Sequence, residues 1–585
     1  MEQSVGEIVR LALFGIVGLI TIVAAGAFSK RLGIAAPLIL IVAGVGFSFI
    51  PGAPVDIPHE LVLVGLLPPI LYASALNVPV VDFRRNFTSI SVLSVGLVVA
   101  TAFLSGWVLF LIFDGLSFPA ALAIGAVISP TDAVAATAIA KKLGLPHRLV
   151  TILEGESLVN DATALVLLRS AIAAVAAATT FWGSVGEFFF DVLTAIAVGF
   201  AVGIVAVFIR SRLKDPVLDT AVSFAVPFVA YLPAEALGAS GVIAVVVAGL
   251  YSGHRSAVAF SARSRISERL NWRTVQFVLE NGVFLLIGIQ VTFLVGQVRS
   301  EDLSAVHAVL IGLLMTLVVL VIRFIFVGPL VTFLRSQDAR ADARTSRIAD
   351  MLAGLRLRQG TRRTEQQPQT ARRTERAERM LRRRQADIKQ LKAEGLDWRG
   401  GVVLGWSGMR GVVTLAAAQT LPDDTPFRPQ LVLIAFTVAV TTLIVQGGTL
   451  PLLIRTIGIR GTGRAAESRE LAELLDELGV AGIAALDCAE LRQSEVDPEV
   501  LERARAETLM SAEVAREHAR DLGSDEKSPQ RQYRALRWEA LQAQRDALLE
   551  ARAEGSYSSR VLDRAQSMLD LEETRLEQLD DPGGS

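Results

Sequence analysis

The chain has 585 residues, of which 52% are hydrophobic and 20% are charged, and its mean hydropathy is +0.48. This composition is more apolar than that of soluble proteins, which excludes an ordinary soluble enzyme and indicates a protein of the lipid bilayer. The formal net charge is −1, but the ionisable residues are concentrated in short loops, in residues 335–399 and after residue 455. The single cysteine, Cys488, excludes an intramolecular disulfide and any zinc or iron–sulfur site built from several thiolates.

Thirteen apolar stretches are candidate membrane-spanning helices. A hydrocarbon core of about 30 Å requires about 20 mostly apolar residues in helical conformation. The candidates are residues 8–28, 34–50, 60–78, 90–113, 118–140, 149–178, 186–209, 217–235, 240–253, 274–297, 303–333, 400–420 and 429–454. The sequence therefore predicts an all-α membrane protein of about 13 transmembrane helices with a helical tail.

Lysine and arginine residues are concentrated in alternate loops between these stretches. These loops carry Lys30 and Arg31; Arg84 and Arg85; Lys141, Lys142 and Arg148; Arg210, Arg212 and Lys214; and Arg255, Arg263, Arg265, Arg269 and Arg273. The intervening loops have almost none, with Arg299 and Arg428 as the exceptions. Because basic residues favour the cytoplasmic side, we expect a multi-pass protein of the cell membrane with its N-terminus outside and its C-terminus in the cytoplasm. An acidic rather than a basic N-terminal region argues against a cleaved signal peptide.

The charges also divide the chain into four parts. Residues 1–334 form the transmembrane core with spans 1–11, residues 335–399 a basic cytoplasmic insertion, residues 400–455 the core with spans 12–13, and residues 456–585 an acidic helical tail. The insertion has 18 Lys and Arg against 9 Asp and Glu, whereas the tail has 17 against 28. Both are interpreted as solvated appendages. Alternatively, the two attract each other, or the insertion binds anionic lipid head groups, and so regulate transport.

Two neighbouring spans, the fifth and the sixth, carry acidic residues within polar motifs. Inserting one charged side chain at the centre of a membrane helix costs about 2.5–3.5 kcal/mol of free energy. Each such residue is therefore expected to have a structural or functional role. The fifth span contains Ser129-Pro130-Thr131-Asp132, and the sixth contains residues 154–161 with the sequence EGESLVND. Pro130 has no N–H and its ring displaces the preceding turn, so we expect an interrupted helix in which the carbonyl of Ala126 is freed.

The polar groups of these two spans are of the kind that binds an alkali cation. Freed carbonyls, the Thr131 hydroxyl and the Asp132 carboxylate are hard oxygen ligands. Ser157 and Asp161, four residues apart, share one face of the sixth helix. We therefore predict that a monovalent cation binds between Asp132 and Asp161. The alternatives are that Asp132 caps a helix and that Asp161 pairs with a buried arginine.

Glu156 is interpreted as a structural partner rather than a ligand. Two buried cations are available as partners, Arg323 in the eleventh span and Arg410 in the twelfth, and a buried charge without a partner is costly. We predict that Glu156 pairs with Arg323. Glu154, nearer the cytoplasmic end of its helix, is interpreted as a solvated residue of an entrance funnel.

The twelfth span, which reads Gly405-Trp406-Ser407-Gly408-Met409-Arg410-Gly411, is also expected to be interrupted. If spans 1–6 and 8–13 are two halves, the two interrupted helices occupy matching positions in an inverted repeat, which is a sequence sign of an ion site near the membrane centre. Arg410 would then compensate the negative ends of the helices at the crossing. The alternative is that Gly408 and Gly411 serve only close helix packing.

Together, Ser129–Asp132, Gly155–Asp161 and Gly408–Gly411 resemble the motifs of the monovalent cation/proton antiporters of the sodium/proton exchanger (NhaP-like) family. The resemblance covers about residues 1–455. It implies the family fold, a homodimer and a role in pH homeostasis. It also implies that Glu156 pairs with Arg323.

The same resemblance implies roles for the site residues. Asp161 would alternately bind cation and proton, with Asp132, Thr131 and Ser157 helping to coordinate the cation. Asn160 occupies a position where electrogenic relatives carry an aspartate, which implies electroneutral exchange of one cation for one proton. The chain departs from the family at Ala73, where relatives often have an acid, and in the length of its basic insertion.

The sequence has no G-x-x-x-x-G-K-[ST] loop, no hydrolase nucleophile elbow and no cluster of thiolates or histidines, so we expect a transporter rather than an enzyme, with no cofactor and no nucleic-acid partner. The transported ions are expected to be H⁺ and Na⁺, with K⁺ or Li⁺ as alternatives, because the same oxygens serve each ion and cavity size decides. The rival functions are a K⁺/H⁺ antiporter, a cation channel or sensor on the same core, and a proton-coupled carrier of an organic solute.

Overall fold

The computed structural model describes residues 2–32, 36–50, 61–132, 134–176, 181–300, 304–360, 396–422, 424–459, 464–492, 497–521, 529–554 and 559–580. Across these ranges the regular secondary structure is helical, which confirms the predicted all-α class. The chain divides into two compact units, Met1–Gly461 and Thr462–Ser585.

The first unit contains eighteen described helices. They are α1 (Glu2–Leu32), α2 (Ala36–Ser48), α3 (Leu67–Asn77), α4 (Val80–Arg85), α5 (Phe87–Ser91), α6 (Val98–Ile112), α7 (Phe118–Ile128), α8 (Val134–Lys142), α9 (His147–Ala176), α10 (Phe181–Arg210), α11 (Pro216–Ala236), α12 (Gly241–Ala259), α13 (Ala262–Ser300), α14 (Ala305–Gly360), α15 (Trp398–Trp406), α16 (Val412–Gln419), α17 (Arg428–Thr442) and α18 (Gly448–Ile457). Three π-helical segments extend α3 at its start and join α5 to α6 and α17 to α18; they are Leu61–Leu66, Val92–Leu97 and Leu443–Gly447.

Nine helical segments of the described residues are long and apolar enough to cross a membrane. Three further apolar segments are shorter: Ala36–Ser48, Leu61–Asn77 and Phe118–Ile128. Each of the thirteen predicted stretches coincides with a helix, a joined pair of helices or an interrupted pair. The number of membrane crossings stays a prediction. Of the basic insertion, the structure describes the part within α14 up to residue 360 and residues 396–399; residues 361–395 lie outside the described ranges.

Both expected interruptions are present. One lies between α7 and α8, at the Ser-Pro-Thr-Asp segment, and the other lies between α15 and α16, at residues 407–411. The expectation that Pro130 leaves the carbonyl of Ala126 free is wrong. That carbonyl accepts hydrogen bonds from the Ser129 hydroxyl at 2.8 Å and from the Ser129 N–H at 3.3 Å. A local serine therefore satisfies the group that the proline releases.

Close helix contacts hold the interrupted helix α7 in place. A Cβ atom on Gly125 of α7 would lie 2.1 Å from the carbonyl oxygen of Ala102 on α6, so no larger residue fits between these two helices. On its other side α7 contacts α9, which itself contacts α5, α6, α8, α12 and α16. The helix that carries most of the predicted site residues thus lies in the interior of the first unit, against both interrupted helices.

The second unit contains four described helices, in agreement with the helical tail that the sequence predicts. They are α19 (Arg464–Arg492), α20 (Pro498–Asp521), α21 (Pro529–Glu554) and α22 (Ser559–Asp580). α19 packs against α20 and α21 packs against α22. Ion pairs cross both contacts, from Arg505 to Asp487 at 2.8 Å and from Arg545 to Asp570 at 3.0 Å. A hydrogen bond from Gln566, supported by Arg545, lowers the pKa of the Asp570 carboxyl.

Candidate ion-binding site

The two interrupted helices cross at their non-helical segments. The backbone N–H of Asp132 donates a hydrogen bond of 2.7 Å to the carbonyl oxygen of Met409. A Cβ atom on Gly411 would lie 2.2 Å from Oδ2 and 2.4 Å from Cβ of Asp132. The Asp132 carboxylate therefore lies against the start of α16, where the free N–H groups and the helix dipole favour a negative charge.

Arg410 lies at the same crossing, beside helix carbonyl groups that carry a partial negative charge. Its guanidinium is buried and donates to the carbonyl oxygens of Ile128, at 3.1 Å, and of Gly408. Ile128 is the last residue of α7, where carbonyl groups present the negative end of the dipole. The backbone N–H of Arg410 donates to the Thr442 hydroxyl at 3.0 Å. The structure thus places this cation beside helix carbonyls.

The helix α9 presents two different polar faces. Glu154, Ser157 and Asp161 are partly exposed and lie three and four residues apart on one face. Glu156 and Asn160 are buried on the adjoining face. The two sets have different surroundings, and the structure separates residues that lie next to each other in the sequence.

The buried face is a closed hydrogen-bonded network around an ion pair. Arg323 donates from Nη1 to Oε1 of Glu156 at 2.6 Å and from Nη2 to Oε2 at 3.0 Å, and each residue is only 1% exposed. The Thr131 hydroxyl donates to Glu156 at 2.8 Å and accepts from Nδ2 of Asn160 at 2.8 Å. Arg323 also donates to the carbonyl oxygen of Leu404 on α15, at 3.0 Å. This network ties α9 to α14 and to both interrupted helices.

The Thr131 hydroxyl already makes hydrogen bonds within the protein. Its hydroxyl and its carbonyl oxygen both accept from the Asn160 amide, at 2.8 and 2.9 Å. The remaining oxygen of Asn160, Oδ1, is buried and has no hydrogen-bond partner among the described residues. A buried acceptor of this kind is costly unless something binds to it. Asn160 Oδ1 is therefore a buried acceptor that the described residues leave unsatisfied.

On the partly exposed face of α9, Asp161 lies near Asp132 and has no basic partner among the described residues. No lysine or arginine of the described residues forms an ion pair with Asp161. Its carboxylate is near enough to that of Asp132 for the two negative charges to repel each other. Ser157 lies one helical turn away on the same face. Two carboxylates and neutral oxygens form a set that a monovalent cation stabilises.

No group of three or more His, Cys, Asp or Glu that could hold a metal ion occurs among the described residues.

The start of α9 is held by polar contacts to α8 and α4. Glu154 pairs with Lys141 at the end of α8, at 2.8 Å, and both side chains are partly or largely exposed. His147 lies 3.2 Å from Asp82 on α4, and this hydrogen bond lowers the pKa of the Asp82 carboxyl. Glu154 thus lies in the polar surroundings expected of a funnel residue.

Besides the pair of Arg169 and Glu235, 2.7 Å apart, two sets of ionisable residues in other spans were not predicted from the sequence. Glu280 lies within α13, and its position inside the predicted stretch 274–297 was a visible signal. The second set is a buried cluster in which Arg210 pairs with Asp219 and Glu268, each at 2.7 Å. These residues lie near the ends of predicted stretches, so their burial became apparent only when the helices were assembled.

We expect Gly411→Ala to impair the crossing. The added methyl group would overlap both the carboxylate and the Cβ of Asp132, so the two non-helical segments have to separate. Overpacking of this kind costs about 1–3 kcal/mol. The expected result is a lowered melting temperature of the purified protein and an ion-exchange rate reduced at least about tenfold.

Gly448→Ala is the matched control, because nothing lies within 4 Å of a Cβ at that position of α18. If Gly411→Ala were as stable and as active as Gly448→Ala, the close contact at the crossing would be contradicted.

A bundle of membrane-length helices in which two interrupted helices cross beside carboxylates is the architecture of a secondary ion transporter. The model of the family described as "Sodium/hydrogen exchanger, transmembrane" matches residues 18–456. The chain belongs to the sodium/hydrogen exchanger family and is a secondary active Na⁺/H⁺ antiporter of the membrane.

Relatives and a solved structure agree with this assignment. An uncharacterised Na⁺/H⁺ exchanger of Mycobacterium tuberculosis (strain H37Rv) is 29% identical over 590 residues, covering 96% of each chain. The Na⁺/H⁺ antiporter ApNhaP of Aphanothece halophytica is 26% identical over 441 residues, covering 75% of this chain and 72% of that protein. The fold is similar to that of the sodium proton antiporter MjNhaP1 from Methanocaldococcus jannaschii, with a TM-score of 0.56 and 14% identity over 77% of this chain and 99% of that one.

Proposed function

We propose that the protein exchanges one Na⁺ for one H⁺ in an electroneutral cycle, with Asp161 as the carboxylate that holds either ion. The observation that carries this proposal is the setting of Asp161, which is partly exposed at the crossing, next to Asp132 and without a lysine or arginine partner among the described residues. A bare carboxylate in this setting is unfavourable because of its low-dielectric surroundings and the neighbouring negative charge. Binding a proton or a cation removes that penalty.

Competition for one carboxylate couples the two fluxes. When Asp161 holds Na⁺ or H⁺, the site is close to neutral and can move through the apolar interior; when it holds neither, its charge resists that movement. The site therefore changes sides only when it is loaded. In this proposal Asp132, Ser157 and Asn160 contribute further oxygens to the cation, with Thr131 held in position by Asn160 and Glu156.

The charge of the loaded site supports a one-for-one exchange. Glu156 and Arg323 neutralise each other within one network, and Asn160, next to Asp161, is uncharged. Asp161 is thus the group at the crossing whose occupancy changes during the cycle. Because it binds one Na⁺ or one H⁺, no net charge is transferred in a full exchange.

The surroundings of the site support a rocking movement. Both interrupted helices, α9 and α14 are joined by the hydrogen bonds of Glu156, Arg323 and Arg410. We propose that these helices move as one body against the remaining helices, so that Asp161 faces one side of the membrane at a time.

The remaining features of the proposal rest on the sequence. Basic residues in alternate loops support a cell-membrane protein with its N-terminus outside and its C-terminus in the cytoplasm. The family resemblance supports a homodimer that works without a cofactor. The charge difference between the 335–399 insertion and the 456–585 tail supports regulation by mutual attraction or by anionic lipids.

The test uses purified full-length protein in liposomes that contain a pH-sensitive dye. Adding Na⁺ outside is expected to raise the internal pH at a rate that does not change when the membrane potential is clamped. Adding K⁺ or Li⁺ in place of Na⁺ measures selectivity. A rate that follows the potential would contradict electroneutral exchange, and a current without proton movement would indicate a channel instead.

A further inference from the structure

One ion pair away from the exchange site joins α9, the helix that carries Asp161, to α11. Nη2 of Arg169 donates to both carboxylate oxygens of Glu235, to Oε1 at 2.7 Å and to Oε2 at 2.8 Å. Arg169 is exposed and Glu235 is partly exposed. This pair has no role in the exchange cycle described above.

The glutamate of the pair is held in place by α12. Oε1 of Glu235 also accepts a hydrogen bond of 2.9 Å from the backbone N–H of Gly241, the first residue of α12. A Cβ atom on Gly241 would lie 2.8 Å from that oxygen and 2.6 Å from the ring of Tyr231, so these groups are closely packed. Glu235 is therefore a fixed acceptor whether or not Arg169 is beside it, and Arg169 is the partner that can leave.

The pair connects two groups of helices that the proposed rocking movement displaces relative to each other. α9 belongs to the group that moves, together with the interrupted helices and α14. α11 packs against α3, α10, α12 and α13, which belong to the group against which α9 moves. The pair of Arg169 and Glu235 thus crosses the boundary between the groups, whereas the pair of Glu156 and Arg323 lies within the moving group.

Arg169 lies at the opposite end of α9 from the basic end of α8. About 33 Å of helix separates it from His147, the first residue of α9, and this length is close to the thickness of the hydrocarbon core. Lys141 and Lys142, just before α9, are predicted to lie in the cytoplasm. Residues 237–240, which join α11 to α12, contain no lysine or arginine. These features place the pair of Arg169 and Glu235 at the outer surface.

We propose that the pair of Arg169 and Glu235 holds the outer ends of the two groups together while the site faces the cytoplasm, and that it separates each time the site turns outward. An ion pair at the outer ends closes the gap between the groups on that side. Because α12 fixes Glu235, a movement of α9 carries Arg169 away from it. A partly exposed pair is suited to repeated opening, since water replaces its contacts at little cost in free energy.

This inference rests on the proposed movement of Asp161 between the two sides and adds the contact that closes the outer side. The first test prevents the two residues from separating. Arg169→Cys and Glu235→Cys are combined in a Cys488→Ser background, and the purified protein in liposomes is treated with a short bis-methanethiosulfonate cross-linker. Cross-linking is expected to reduce sodium-driven proton movement to the level of protein-free liposomes, and a reducing agent is expected to restore it.

The matched control joins an ion pair that does not cross the boundary. Arg505 on α20 and Asp487 on α19 are 2.8 Å apart and partly or largely exposed. Arg505→Cys with Asp487→Cys, in the same background, should become cross-linked without any change in exchange. Exchange that continues in protein cross-linked between positions 169 and 235 would overturn the inference, and so would a failure of the reagent to join those two cysteines.

A second test measures how the pair affects the balance between the two orientations. Arg169→Met removes the charge, which disfavours the cytoplasm-facing orientation and raises the population that faces outward. The KM for Na⁺ offered at the outer face of right-side-out vesicles is expected to fall about two- to fivefold, as expected for the loss of a partly exposed ion pair. Arg255→Met, at an exposed position of α12, is the control and should leave this KM unchanged. An unchanged or raised KM in Arg169→Met would contradict the inference.

The Asp161→Asn variant separates this inference from the proposed exchange site. If it abolishes coupled flux while the protein cross-linked between positions 169 and 235 still exchanges Na⁺, only the role of the pair of Arg169 and Glu235 fails. If Asp161→Asn retains coupled flux, the exchange site itself is wrongly assigned, whatever the result of cross-linking.

Discussion

Asp161→Asn is expected to reduce sodium-driven proton movement to the level of protein-free liposomes. Asparagine has nearly the same shape as aspartate but neither binds a proton at neutral pH nor offers a negative charge to Na⁺. Without a group that both ions require, their competition ends and the coupling is lost. The measurement is the internal pH of proteoliposomes after addition of Na⁺.

The same substitution is expected to leave the protein folded. Asp161 has no described lysine or arginine partner, and its charge is repelled by Asp132. Removing that charge relieves a repulsion, so the melting temperature of Asp161→Asn should equal or exceed that of the unchanged protein. This combination of lost exchange and retained stability distinguishes an ion-binding carboxylate from a structural one.

Asp114→Asn is the matched control, since it makes the same chemical change at an exposed loop position. It should change neither the exchange rate nor the melting temperature. Coupled proton flux that persists in Asp161→Asn would remove this residue from the exchange site.

Unlike Asp161→Asn, Arg323→Met is expected to cause a large loss of stability. Glu156 and Arg323 are buried and joined by two hydrogen bonds, so deleting the guanidinium leaves a buried carboxylate without its basic partner. Breaking such a pair from one side costs about 3–5 kcal/mol. The expected result is a marked fall in the melting temperature and in the yield of folded protein.

The double variant Glu156→Gln with Arg323→Met provides the control for this effect. Because the uncompensated charge is absent, the double variant should recover most of the stability that Arg323→Met loses. Equal damage in the single and double variants would mean that the packing of these side chains, and not their charges, supports α9.

The predicted interruptions illustrate which features follow from the sequence. Pro130 marks the break between α7 and α8, because a proline removes a backbone hydrogen bond and its ring displaces the preceding turn. Proline favours such a break but does not enforce it, since Pro227, Pro233 and Pro329 lie inside continuous helices. The proximity of Glu156 to Arg323, 167 residues apart, was reached by a charge argument, since two buried opposite charges need each other. Both predictions use the properties of individual residues and do not require the packing of the helices to be known.

Other features needed the assembled helices. The sequence pattern EGESLVND does not reveal that Glu156 and Asn160 are buried in a hydrogen-bonded network while Glu154, Ser157 and Asp161 stay partly exposed. That difference depends on which neighbours surround α9. Thr131 was predicted as a cation ligand, and that role stays a prediction; its hydroxyl is held between Glu156 and Asn160.

The sequence by itself determined that this is an all-α membrane protein with two broken helices, because hydrophobic length, proline and glycine act on the chain locally. Apart from the pair of Glu156 and Arg323, the tertiary structure decided which carboxylates have basic partners. It placed Arg210 between Asp219 and Glu268, and it left Asp161 and Glu280 without such a partner among the described residues. The physical reason is that electrostatic compensation depends on distances between helices, and residues far apart in the chain set those distances.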